Sequence, residues 1–198
     1  MTDRKLAATV MAAMLLCGRW MVALAQEPTV QIATALGNIV VAVDITHAPV
    51  SAANFLRYVA AGSYDGGMFH RTVTMDNQPN NSVKIEVIQA GANPAHGDFP
   101  PIALERTTAT GIKHLAGVIS MARDGPDTAT SDFFICVTDQ PSLDFGGGRN
   151  PDGQGFAAFG RVVSGMEVVR RIQQSKALGQ KLTPPVKILS VRWVPHPK

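Results

Sequence analysis

The feature that most limits how this chain can fold is the distribution of its short β-forming runs. Residues 29–35, 38–44, 68–73, 83–90, 117–122, 132–137, 156–163 and 186–194 are rich in Val, Ile, Thr, Ala or Phe and are bounded by turn-forming residues. Only two stretches read as helix. In 50–61, Ala52, Phe55, Leu56, Val59 and Ala60 recur at one apolar face, with Pro49 at the start and Gly62 at the end. In Ser164-Gly165-Met166-Glu167 the spacing is that of a capping box, and Val168, Val169 and Ile172 continue it as a short helix. Strands therefore do not alternate with helices, which argues against a doubly wound parallel sheet. Many short strands joined by Gly- and Pro-rich turns favour an antiparallel barrel or sandwich. A helix near each end of the chain is available to plug the mouths of a barrel.

With 198 residues and 45% hydrophobic content, the chain suffices for one domain with a real core. The pI near 9.1 overstates its basic character. Arg4, Lys5 and Arg19 lie in the first 25 residues against Asp3; without that segment 15 basic residues face 14 acidic ones. No basic cluster remains to recruit nucleic acid or a membrane surface. The segment itself reads as an export signal. Arg4 and Lys5 form a positive start, 6–17 is apolar, and Ala23-Leu24-Ala25 fits the A-x-A cleavage rule. The expected organisation is a signal peptide over 1–25, a mature domain over 26–198, and a periplasmic or secreted location. An uncleaved anchor over 6–25 is the alternative, opposed by Arg19 at roughly 2.5–3.5 kcal/mol if it reached the centre of a bilayer.

Cleavage leaves Cys136 as the single cysteine, in Phe133-Phe134-Ile135-Cys136-Val137, where an inert core thiol is expected. The five histidines show no metal-ligand spacing, so no metal or other cofactor is expected. The glycine-rich stretch 145–155 lacks a following G-K-[ST] and reads as a surface loop, not a phosphate cradle. A serine hydrolase is disfavoured because no G-x-S-x-G elbow and no matching His/Asp set is visible. More informative are Arg71 and Gln89, polar residues displayed on strand-like runs beside apolar neighbours. With Phe134 downstream, they define a polar-edged apolar groove.

Phe69-His70-Arg71, Val87-Ile88-Gln89-Ala90-Gly91, Ser120-Met121-Ala122, Phe133-Phe134-Ile135-Cys136 and Phe159-Gly160 follow one another in the order and approximate spacing of the cyclophilins. The chain resembles these peptidyl-prolyl cis-trans isomerases over 30–194. The resemblance implies a closed eight-stranded antiparallel β-barrel capped by two α-helices. It implies proline-containing peptides and unfolded proteins as partners. No coiled coil or exposed apolar stripe argues for an oligomer, so a monomer is expected, with no stable membrane association after signal cleavage. It also implies Arg71 and Gln89 as catalytic residues and Phe134 as the aromatic floor of a proline pocket. Val87, Ala122 and Leu143 would be its walls, with Phe156, Arg123, Asp132 and Glu86 also at the binding site. Chemistry agrees. An X-Pro bond isomerises slowly because its C–N bond has partial double-bond character. A cation that donates to the nitrogen of the twisted bond binds that state more strongly than either planar one. Isomerisation needs no base, so His70 is expected to be structural.

Strand periodicity places Val87 with Gln89 on one face, and Asp132 with Phe134 opposite Phe133 and Ile135. The chain departs from the family's pattern in five places. Glu86-Val87 stands where Phe-Met is common, which would put an acid near the pocket and Arg71. Ser142 stands at the position of a common Trp, implying weak cyclosporin binding. Phe156 stands where a His is frequent and would restore apolar wall. Arg123 and Asp132 replace an Asn and a Gln on the rim. Glu86, Ser142 and Asp132 alter the pocket and keep open a second reading, a low-activity proline-peptide binding or chaperone module on the same fold.

Overall fold

A computed structural model describes residues 27–194; the expected signal segment lies outside the described residues. Thr29–Thr34 (β1) and Gly37–Val43 (β2) form a hairpin across a two-residue turn. Helix α1 (Pro49–Ala60) follows, with Pro at its first turn and no side-chain cap of its own. Its first amides instead donate to a distant carboxylate: Val50 N to Glu105 Oε1 at 3.0 Å and Ser51 N to Glu105 Oε2 at 2.7 Å. A negative charge there also complements the helix dipole. Next come β3 (Met68–Val73), β4 (Val87–Gly91), a single helical turn α2 (Thr107–Thr110), β5 (Val118–Met121) and β6 (Phe133–Cys136). The chain closes with β7 (Ala157–Ser164), α3 (Met166–Gln173), β8 (Ala177–Leu178) and β9 (Lys181–Trp193).

The sheet order is β1-β2-β7-β5-β6-β4-β3-β9, and β9 pairs back onto β1, closing an eight-stranded antiparallel barrel. The two-residue β8 hangs on the start of β9 outside the ring. Closure leaves the eight ring strands without a free edge, the hazard an open sheet must manage. The interior is filled by side chains from alternate strand positions: Ile32, Ile39, Val41, Phe69, Ile88, Ile119, Phe133, Ile135 and Phe159 are all buried. Helix α1 adds Phe55, whose ring meets those of Tyr64, Phe133 and Phe159. Helix α3 adds Val168, Val169 and Ile172 to the same core.

Several boundaries differ from the sequence reading, each for a physical reason. The run 83–90 pairs as a strand only from Val87. Before that, Ile85 bonds to a side chain: its N–H donates to Gln78 Oε1, and its C=O accepts from Gln78 Nε2 at 2.8 Å. The expected capping box is not formed. Ser164 remains paired in β7, opposite Val40, so Gly165 becomes the cap residue and makes no side-chain cap bond. Gly165 is required there, because its φ is +96° and a Cβ would meet the Asn38 carbonyl at 2.3 Å. The last strand starts earlier than the run 186–194 and contains Pro184 and Pro185, with a register break against β3. The short elements α2 and β8 carried no periodic signal.

Phe133 is fully buried and its ring meets Phe55, Tyr64 and Phe69 edge-on. Phe133→Ala should therefore cost about 3–5 kcal/mol of unfolding free energy. Urea unfolding followed by tryptophan fluorescence would measure it, and a loss under about 1 kcal/mol would contradict this packing.

Candidate functional site

Strands β3, β4 and β6 are neighbours, and their outward faces build the site. The register sets Arg71 opposite Gln89 and Gln89 opposite Phe134, one row across three strands. Strict alternation would send Arg71 inward with Phe69, since the two are two residues apart. A bulge at His70 prevents this. Phe69 pairs with Ala90 and faces the core, whereas Arg71 pairs with Gln89 and faces out. One unpaired residue thus converts a core strand into a site strand.

Phe134, Val87, Val73, Ile85, Cys136 and Leu143 form a second, smaller apolar cluster outside the barrel, with Ala122 and Phe156 against it. Leu143 comes from the turn Pro141–Leu143, where Phe156 N donates to its carbonyl at 2.9 Å. The rings of Phe134 and Phe156 meet edge-on at 5.3 Å. Over this floor opens a groove of about 410 Å³ that contains Arg71, Val87, Gln89, Ala122, Arg123, Asp132, Phe134, Leu143 and Phe156 together.

The Arg71 guanidinium is held from two sides. Nη1 donates to Gln89 Oε1 at 2.9 Å, and Nε and Nη2 donate to Gln180 Oε1 at 2.9 and 2.6 Å. Both acceptors are neutral amides, so the geometry is fixed while the charge stays uncompensated. Burial lowers the Arg71 pKa from its ordinary value, and the nearby Arg149 adds to the effect. Gln89 is oriented in turn, its Nε2 donating to Asp132 Oδ2 at 3.0 Å. Burial raises the Asp132 carboxyl above the usual range, against the pull of the Gln89 hydrogen bond. Gly91 makes room for that carboxylate, since a Cβ there would meet Asp132 Oδ1 at 2.1 Å.

Two expectations are corrected. Glu86 does not line the groove and does not hold Arg71. Its carboxylate accepts from Thr138 Oγ1 at 2.9 Å and from Gln173 Nε2, on α3, at 3.4 Å. Ile85 and Val87 on either side of it face the groove, so alternation turns Glu86 away. A Ser–His–Asp row also exists, contrary to the sequence reading: His114 Nδ1 lies 2.8 Å from Asp144 Oδ1, and Nε2 lies 3.0 Å from Ser120 Oγ. It is sealed, with Ser120 fully buried and His114 1% exposed, so no substrate reaches the hydroxyl. The row supports the floor instead, since the His114 ring stacks on Phe134 at 5.9 Å and 16°.

Arg123 lines the groove, but its charge is spent. It makes a bidentate pair with Asp152 at 2.7 and 3.0 Å, donates to the Gly155 carbonyl, and lies 5.1 Å from the Phe156 ring centre. His70 lies outside the groove, 3.5 Å from Asp132. Sequence reasoning missed Gln180, Ile85 and Arg149. Gln180 lies 109 positions from Arg71 and carries no motif. Cys136 is buried, and burial pushes its thiol well above the ordinary range. Among the described residues, no group of three or more His, Cys, Asp or Glu is placed to hold a metal ion.

Solved structures define the class of this architecture. A cyclophilin-type peptidyl-prolyl cis-trans isomerase from Cryptosporidium parvum superposes with a TM-score of 0.70 at 21% identity, over 86% of this chain and 99% of that one. A second structure of that protein, in the presence of the dipeptide Ala-Pro, gives 0.68 over 85% and 99%. The family model described as cyclophilin type peptidyl-prolyl cis-trans isomerase/CLD matches residues 29–193. Peptidyl-prolyl cis-trans isomerase A of Dickeya dadantii is 40% identical over 146 residues, 73% of this chain and 70% of that protein. Isomerase B of Escherichia coli is 32% identical over 146 residues, 69% and 79% of the two chains. The chain belongs to the cyclophilin-type peptidyl-prolyl cis-trans isomerases. It is an enzyme that interconverts the cis and trans forms of X-Pro peptide bonds.

The buried imidazole gives a pH signature. Burial lowers the His114 pKa below 6.5, outweighing the hydrogen bond to Asp144 that raises it. Folding therefore favours the neutral ring. Its contribution to stability is complete above the unfolded-state value near 6.5 and is lost as pH falls through the lower folded-state value. Unfolding free energies between pH 8 and pH 5 should fall less steeply in His114→Gln than in the parent; identical slopes would refute the assignment.

Proposed function

We propose that Arg71 is the electrostatic catalyst of this isomerase, that Gln89 positions it, and that the Phe134 floor receives the proline ring. The observation that carries the reading is the guanidinium held by two neutral amides at the edge of an apolar floor. A planar X-Pro bond has its nitrogen lone pair delocalised into the carbonyl. Twisting localises that pair, and a cation already in place donates to it without reorganising. A neutral brace matters because a carboxylate would absorb the donors and the charge that the twisted nitrogen needs. Val87, Ala122, Leu143 and Phe156 exclude water around the ring, which strengthens the interaction. The C. parvum protein, whose structure was also solved in the presence of the dipeptide Ala-Pro, supports proline-containing peptides as the ligand class. Unfolded proteins are the corresponding clients.

Arg71→Ala should lower kcat/KM on an Ala-Pro peptide about a hundredfold or more. Exchange spectroscopy, which needs no coupling protease, measures this, with circular dichroism to verify the fold. Unchanged exchange would overturn the role of Arg71. Peptide binding by the parent chain with no exchange would favour the low-activity binding module instead.

Arg4 and Lys5, the apolar run and Ala23-Leu24-Ala25 support export from a bacterial cytoplasm and action in the periplasm or outside the cell. Expression of the full chain in a Gram-negative host should release a mature form beginning at Gln26. Intact mass spectrometry of the periplasmic fraction checks this, and a cell-retained chain still carrying residues 1–25 would exclude cleavage.

A further inference from the structure

The groove carries more fixed charge than isomerisation needs, and that charge is segregated. Three guanidiniums line it: Arg71, Arg123 and Arg149. Arg123 is neutralised by Asp152. Among the described residues, neither Arg71 nor Arg149 is paired with a carboxylate. Arg149 is nonetheless immobilised. Its Nη1 donates to Gln78 Oε1 at 2.9 Å and to the Val83 carbonyl at 2.7 Å, both neutral acceptors. Its backbone N–H is bonded to the Ser142 carbonyl at 3.1 Å. Five guanidinium N–H groups are available in an arginine, and these two bonds use only Nη1. Nε and Nη2 remain to meet a ligand.

The acidic groups of the groove lie elsewhere. Asp132, Asp98 and Asp124 all line it. Asp132 is bonded to Gln89 and lies against Gly91, at the end of β4, whereas Arg149 is bonded to Gln78 and to the Val83 carbonyl, ahead of the start of β4. The Arg149 cation and the Asp132 carboxylate therefore stand toward opposite ends of β4, with Gln89 between them. A peptide lying through the groove meets opposite fields on the two sides of its proline.

Resting on the reading that this groove binds the substrate, we propose that Arg149 selects peptides carrying a carboxylate on one side of the isomerising proline. A side-chain Glu or Asp and a free chain end share the chemistry that a guanidinium recognises. Arg149 presents a fixed, half-buried cation to it, which loses less rotamer entropy on binding than a free surface arginine. The carboxylates at the far end make the preference one-sided, since an acid placed there is repelled.

The test uses acetylated, amidated Ala-Pro peptides with Glu or Gln at one of the two positions flanking the dipeptide. A Gln peptide with a free C-terminus forms a further arm. Dissociation constants come from chemical-shift titration of the labelled protein, and exchange rates are recorded on the same samples. Glu should bind on the order of fivefold tighter than Gln on one side and weaker on the other at low salt, with the gap narrowing as salt is added. If the free terminus alone is favoured, the carboxylate taken is the chain end. Arg149→Gln should abolish the preference, and Arg149→Glu should transfer it to Lys peptides. Equal affinities for Glu and Gln at both positions, or a preference that survives in a folded Arg149→Gln, would overturn the proposal. Where that variant fails to fold, the peptide series on the parent chain still decides it. Affinities are read separately from exchange, so a catalytic role of Arg71 can fail while the carboxylate preference stands, and the reverse.

Discussion

The site depends on one hydrogen bond, from Arg71 Nη1 to Gln89 Oε1, made across two paired strands. It exists only because the bulge at His70 reverses the direction of the side chains that follow. Without the extra residue, the guanidinium would point into a core of aromatic rings, where an unpaired charge is intolerable. With it, the same short strand supplies Phe69 to the interior and Arg71 to the surface. Thr72 then returns inward, where its hydroxyl donates to the Gln173 carbonyl of α3 at 2.9 Å. The groove strand β3, helix α3 and the core are tied together within four residues.

The wall formed by β3, β4 and β6 separates two apolar clusters. The large one holds the barrel closed, and the small one forms the floor of the groove. Phe133 and Phe134 are consecutive and belong to different clusters, so the dipeptide gives one ring to the barrel core and the other to the floor of the groove. Behind Phe134 the buried His114–Asp144 pair stiffens the floor. Its resemblance to a hydrolytic triad ends at geometry, because activation of a serine requires a path for the substrate.

Most of the barrel was legible because its strands are local, apolar and punctuated by turn residues. Seven of the eight ring strands follow the runs read from the sequence within a few residues; the last begins five residues early at Lys181. Faces were legible where alternation holds, as for Val87, Gln89 and Phe134. The same rule, applied to the pair Glu86-Val87, would have turned Glu86 out of the groove; comparison of residue types at matched positions suggested the opposite. What could not be read is what local pattern does not encode: the bulge at His70, the replacement of a ladder partner by Gln78, and Gln180 arriving from the far end of the chain. Each depends on a contact set by barrel closure.

The position of Gln180 has a temporal consequence. The residue that braces Arg71 from the second side directly precedes β9, the strand that joins both β3 and β1. Until that final strand has paired, the ring is open and the guanidinium has only one of its two supports. A nascent chain that has emerged as far as α3 already contains Arg71, Gln89 and Phe134 in sequence, yet lacks the assembled electrostatics. Both supports of the Arg71 guanidinium are thus in place only once the barrel has closed.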